Sequence, residues 1–176
     1  VLAPGEQRQL VHRVEDAPLR GLEAVAHIGE RAGNDHRHRV VEERVLDLVG
    51  DIGATNARFA LVNGDGTLSH SADLVCRDHP TIAEAIETYL AASEGVAPAR
   101  AVLAVATTPR GDRVSFTNNP WSFSVSELSR RLGIDQLRII NDFHANALAL
   151  PHLGADDVHK VGGGNVVEGA PLGVLG

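Results

Sequence analysis

The chain has 176 residues, with 16 Lys plus Arg against 23 Asp plus Glu and a formal net charge of −7. That length suits one domain, or one and a fraction, burying about 70% of its unfolded surface, and the acidic balance argues against nucleic acid as a main partner. No apolar run approaches the roughly 20 residues needed to cross a bilayer, so no membrane partner is expected. The single Cys76 permits no internal disulfide and fits a reducing, cytoplasmic setting, and no secretory signal pattern opens the sequence. Methionine is absent even at position 1, so Val1 reads as a processed end or as an artefact of where the frame was opened.

Residues 1–44 differ in texture from the rest. They are rich in Arg, Glu and His, including Asp35-His36-Arg37-His38-Arg39. Leu22, Val25 and Ile28 fit an amphipathic helix over 19–31, and no strand pattern is visible. His36 and His38 lack supporting ligands at metal spacing, which favours a solvated charged segment over a metal site. The segment shows no clean helix pair of a DNA-binding module. It reads as an extension outside the ancestral fold, with the fold starting near Val45.

From Val45 the pattern is regular. Val45–Gly50 and Ala57–Val62 read as strands on either side of a Gly50-Asp51-Ile52-Gly53-Ala54-Thr55-Asn56 turn. The two glycines permit backbone angles and close approach denied to residues with a Cβ, and successive N–H groups in such a turn can cradle phosphate. Asp51 suits a divalent cation, and Thr55 adds a hydroxyl. A Walker A loop is excluded, since the only lysine is Lys160. A dinucleotide fingerprint is excluded because no helix follows the turn. An ordinary glycine-containing hairpin turn is the alternative.

Asn63-Gly64-Asp65-Gly66 is strong hairpin chemistry, and 68–76 reads as a third strand. Thr81 with Glu84 forms a capping box, opening a helix whose Ile82, Ile86, Tyr89 and Leu90 share a face; Gly95 and Pro98 end it. Residues 101–106 read as a buried strand. Ser124 and Glu127 open a second helix running through Arg131 and closed by Gly133. Residues 137–140 read as another buried strand, delivering Asn141 and Asp142 at its carboxyl end, and a helix over 144–150 follows. Strands in a meander and then alternating with helices describe a mixed α/β sheet.

Ligands of α/β proteins bind just past the carboxyl ends of central strands. A carboxylate there, Asp142, can take a proton from a substrate hydroxyl, and Asn141 offers both donor and acceptor to a sugar hydroxyl. A plain Asx helix cap is the competing reading.

The ordered set Asp51-x-Gly53-x-Thr55-Asn56, then Thr117-Asn118-x-Pro120-Trp121, then Ile139-Ile140-Asn141-Asp142-Phe143 resembles the bacterial glucokinases, the ATP-dependent branch of the actin-fold kinases. The resemblance runs from about 45 to 176. It implies an actin-like (ribonuclease H-like) sugar kinase domain, with a smaller domain over 45–152 and the start of a larger one over 153–176. It implies ATP and Mg²⁺, with Gly50, Asp51, Ile52, Gly53, Ala54 and Thr55 as the first phosphate loop and Asp51 placing the metal. It makes Asn141 and Asn118 glucose-binding residues, Asp142 the base for the 6-hydroxyl, and Trp121 a packing residue; a homodimer is left open.

Two departures stand out. Ala54 replaces a second glycine, and 106–112 reads Ala-Thr-Thr-Pro-Arg-Gly-Asp where the family has a small residue and glycine or cysteine before the proline; Thr107 and Thr108 would line the sugar site. Residues 170–176 look like the strand leading into a second phosphate loop, and Gly162-Gly163-Gly164 reads as a turn. The fold is thus expected to be incomplete at its C-terminus and the chain alone inactive. A sugar kinase of the repressor/open-reading-frame/kinase family, a non-catalytic sugar-sensing regulator and a truncated product are the alternatives.

Overall fold

A computed structural model of the chain describes residues 11–13, 47–165, 167 and 169–174. Its centre is a five-stranded mixed sheet. The strands are β2 (Asp47–Ile52), β3 (Asn56–Val62), β4 (Leu68–Val75), β5 (Arg100–Val105) and β8 (Gln136–Asn141), in the order β4-β3-β2-β5-β8. β2, β3 and β4 form the antiparallel meander expected from the short turns between them, and β2, β5 and β8 run parallel. The parallel connections carry the helices, as parallel pairing requires.

Helix α1 (Ile82–Ala92) begins at Thr81, whose hydroxyl accepts from the Glu84 N–H at 3.2 Å. It buries Ile82, Ile86 and Tyr89 on the sheet face that also receives Leu48, Ile52, Phe59 and Leu103. Helix α2 (Val125–Leu132) has Ser124 as N-cap and ends at Gly133 with φ 66°, a left-handed conformation that suits glycine. Its Leu128 joins the same core. A small hairpin, β6 (Arg113–Ser115) with β7 (Ser122–Ser124), carries the 116–121 loop. Helix α3 (Asp142–Ala149) packs Ala145 on the opposite face with Val49, Ala60, Val102 and Ala104. An ion pair from Arg100 to Asp47 joins the starts of β5 and β2.

Several expectations need correction. β8 is the edge of the sheet and not a buried central strand: Gln136 and Arg138 are exposed while Leu137 and Ile139 are half-buried. Leu137 and Ile139 pack on the α1 face, and Ile140 joins the core of the other face with Ala145 of α3. The expected turn over 50–55 is shorter, because β2 continues through Ile52. Val11–Arg13 (β1) is a strand, paired antiparallel with β9 (His159–Val161), where the sequence shows no strand pattern; the partner supplies the ladder. No strand forms over 170–174, where the described residues provide no ladder partner. The helix expected over 19–31 and the His36/His38 pair lie outside the described residues. Among the described residues, no helix is long and apolar enough to cross a membrane.

Candidate active site

The three parallel strands end in one row. Ile52 pairs with Val105, and Val105 pairs with Asn141. Two strand spacings therefore separate the turn after β2 from the start of α3, about 10 Å. The loop after β5 lies between them: the Ala106 N–H donates to the Ile52 carbonyl at 3.0 Å, and the Thr107 carbonyl accepts from Asn141 Nδ2 at 3.1 Å.

Gly50 lies inside β2, opposite Phe59 on one side and Leu103 on the other. A Cβ there would sit 2.7 Å from Leu103 Cδ2 and 3.0 Å from Phe59 Cδ1, so close packing requires the glycine. Neither Gly50 nor Gly53 has positive φ, and neither does Ala54. Close approach therefore explains the first glycine and left-handed backbone explains neither; the alanine at 54 is unstrained. The turn proper is Gly53–Thr55. Its Gly53 N–H donates to the Asn56 carbonyl at 2.9 Å, while Gly53 and Thr55 turn their carbonyls inward to Asn119 Nδ2 and the Cys76 N–H, at 3.0 and 2.8 Å. The Ala54 and Thr55 N–H groups and the Thr55 hydroxyl have no hydrogen-bond partner among the described residues. Both residues are exposed, so these donors are open to a ligand, the chemistry of an anion cradle.

Asp51 occupies the sheet face opposite Gly50. Burial pushes its carboxyl above the ordinary aspartate range; the Arg58 guanidinium, 3.4 Å away, opposes that, while Asp142 and Asp73 add to it. Arg58 stands between two carboxylates, with Asp73 at 3.1 Å on its other side. Asp51 Oδ1 has no hydrogen-bond partner among the described residues. No cluster of three or more His, Cys, Asp or Glu able to hold a metal exists among them. A half-buried carboxylate with one oxygen uncommitted and Asp142 within electrostatic range is nevertheless a donor for Mg²⁺, which takes one or two carboxylates and completes its shell with water and phosphate oxygens. The residues fit that ion.

Asn141 caps α3: its Oδ1 accepts from the Phe143 N–H at 3.1 Å. Its Nδ2 donates to Thr107 and, at 2.7 Å, to Asp142 Oδ1. Both amide hydrogens are thus used within the chain, and one Oδ1 lone pair is left for a ligand. Asp142 Oδ1 also accepts from the Phe143 N–H at 2.8 Å. These bonds fix the carboxylate and leave Oδ2 without a partner among the described residues, a proton acceptor held in orientation. The cap reading and the base reading are therefore compatible.

Asn118 is exposed on the 116–121 loop, with no side-chain bond among the described residues. Its neighbour Asn119 is the buried one and holds the turn. Trp121 is 2% exposed, with Nε1 donating to the His79 carbonyl at 2.9 Å. Arg58 and Asn119 are the residues that the sequence reading missed. Arg58 was signalled by a lone charge in an apolar strand, and Asn119 by Asn-Pro, which favours an Asx turn.

Residues 48–176 match the glucokinase family model. The chain is 45% identical over 130 residues to the glucokinase of Paramagnetospirillum magneticum, covering 73% of this chain and 40% of that protein. It is 42% identical over 131 residues to the glucokinase of Aromatoleum aromaticum, with the same coverages. A solved glucokinase from an Antarctic psychrotroph superposes with a TM-score of 0.58 at 36% identity, covering 64% of this chain and 37% of that one. The chain spans about 40% of the length of the curated relatives it matches. A mixed sheet in the order β4-β3-β2-β5-β8 with helices on both faces, together with these matches, means that the chain belongs to the glucokinase family, an actin-like sugar kinase fold.

Proposed function

We propose that this chain is the N-terminal part of a cytoplasmic glucokinase that transfers the γ-phosphoryl group of ATP to the 6-hydroxyl of glucose. The observation that carries the reading is the row Ile52–Val105–Asn141, which opens a donor-lined turn and an oriented carboxylate at the carboxyl end of the same parallel strands. Gly53, Ala54 and Thr55 form the rim of the first phosphate loop, and Gly50 and Ile52 form its strand base. Asp51 would hold Mg²⁺, which would supply charge neutralisation for the transferring phosphoryl group. Asp142 accepts the hydroxyl proton through its free Oδ2. Asn141 fixes that carboxylate and offers its remaining lone pair to a sugar hydroxyl, with Asn118 approaching from the loop. In domain terms, 45–152 is the smaller domain and 153–176 begins the larger, and a homodimer is the assembly to test by sedimentation.

Phosphoryl transfer needs charge clamps on both sides of the phosphate chain. By itself, the 176-residue polypeptide is therefore expected to release ADP only at a small fraction of ordinary kinase rates. Binding is the sharper test. In the ¹⁵N-labelled chain, glucose is expected to move the amide signals of Thr107 and 141–143, and MgATP those of 53–55. A chain that responds at neither end sinks the assignment.

A further inference from the structure

We propose that Asn119 is a positioning residue that aims the phosphate turn and couples it to the sugar-side loop. This rests on the assignment of 53–55 to phosphate. Asn119 is 7% exposed and bridges a separation of 66 residues, with Nδ2 donating to the Gly53 carbonyl at 3.0 Å. Its other end is equally committed: Oδ1 accepts from the Trp121 N–H at 2.9 Å, closing an Asx turn around Pro120. Trp121 is buried and pinned to His79, so the amide stands on a fixed base.

The effect on the turn follows from peptide geometry. The Gly53 carbonyl and the Ala54 N–H belong to one trans peptide and point in opposite directions. Holding the carbonyl inward directs the Ala54 N–H outward, where an anion would meet it. The Cys76 N–H holds the Thr55 carbonyl at 2.8 Å, and Cys76 Sγ lies 3.9 Å from the Gly53 oxygen, so Asn119 supplies the stronger donor to Gly53. Asn118 adjoins it in the chain. A sugar that draws on Asn118 would therefore pull on the residue next to the one that sets the Ala54 N–H.

The test uses magnesium tripolyphosphate, read by the amide shifts of 53–55. Asn119→Asp keeps the shape and the acceptor for Trp121 but turns an oxygen toward the Gly53 carbonyl. It is expected to shift the Ala54 amide and weaken tripolyphosphate binding about tenfold, the scale of one charge-assisted hydrogen bond. Leu128→Ala opens a cavity beneath α2, away from the turn, and lowers the melting temperature, yet should leave that affinity unchanged. Should Asn119→Asp not fold, the unmodified chain decides: glucose and tripolyphosphate must each move the Asn119 side-chain amide resonance, and a resonance indifferent to either overturns the coupling. A folded Asn119→Asp chain with wild-type affinity and Ala54 shift overturns it as well. An unmodified chain that shows no tripolyphosphate response at 53–55 removes the phosphate assignment and, with it, this proposal.

Discussion

Gly50→Ala isolates the role of the first glycine. The added Cβ would lie 2.7 Å from Leu103 Cδ2 and 3.0 and 3.1 Å from two Phe59 ring carbons, against about 3.5–4.0 Å for a relaxed carbon contact. Neither neighbour has room to yield: both are fully buried, and Phe59 is packed on Tyr89 with ring centroids 5.3 Å apart. Overpacking of this kind costs about 1–3 kcal/mol. Replacing glycine recovers about 0.4–1 kcal/mol from the unfolded state. The 2.7 Å contact puts the overpacking in the upper part of its range, about 2–3 kcal/mol, so the net loss is about 1–2.6 kcal/mol, a fall in melting temperature of roughly 3–10 °C for a domain of this size. Circular-dichroism melts and urea midpoints at unchanged m-value measure it. Gly64→Ala is the control, since a Cβ there meets nothing within 4 Å; it should be neutral or slightly stabilising. Equal effects of the two substitutions, or a Gly50→Ala chain as stable as the parent, would refute the crowding argument.

The other predictions concern charge and backbone. Burial raises the Asp51 pKa in the folded state, so the native chain takes up a proton there that the unfolded chain releases, and stability falls as pH rises from the ordinary Asp value through the raised one. Asp51→Asn should therefore melt higher than the parent near neutrality, with the difference shrinking as pH drops below that window; Arg58 keeps Asp73 as a partner in the variant. A difference independent of pH contradicts this. Asp142→Asn should keep the fold, because an amide oxygen can still accept from the Phe143 N–H, while a longer enzyme carrying this segment is expected to lose about 10²–10⁴-fold in kcat if Asp142 is the base proposed above. Glu94 has φ 61° just after α1, where its charge also faces the helix C-terminus. Glu94→Asn should stabilise by about 0.5–1 kcal/mol, visible as a higher melting temperature.

Much of this was legible because local chemistry and global fold agree. Thr81 with Glu84 opens α1, Ser124 and Gly133 bracket α2, and the hairpin glycines turn the meander. Asn141 and Asp142 fall at a strand end because a run of apolar residues stops there. What escaped was pairwise. Nothing local marks Asn119 as the partner of Gly53, since the bond spans 66 residues and exists only once the β6–β7 hairpin packs beneath the turn. The same holds for Arg58, whose meaning comes from register: it lies opposite Asp51 on one strand and Asp73 on the next. β8 was misjudged as central because an apolar run suggests burial without saying how many neighbours a strand has.

Strand β5 contributes no side chain to the chemistry proposed here, yet it is bonded to both strands that do. It behaves like the fixed jaw of a caliper. The gap between turn and carboxylate is set by backbone ladders, because the β5 side chains stand out of the sheet plane and no adjustable side chain lies between the strands. Damage to β5 would therefore read out as simultaneous loss at two sites with every ligand-facing residue intact. Conversely, occupancy of either end should slow hydrogen exchange along the same strand. The measuring element of the site lies where no site residue is found.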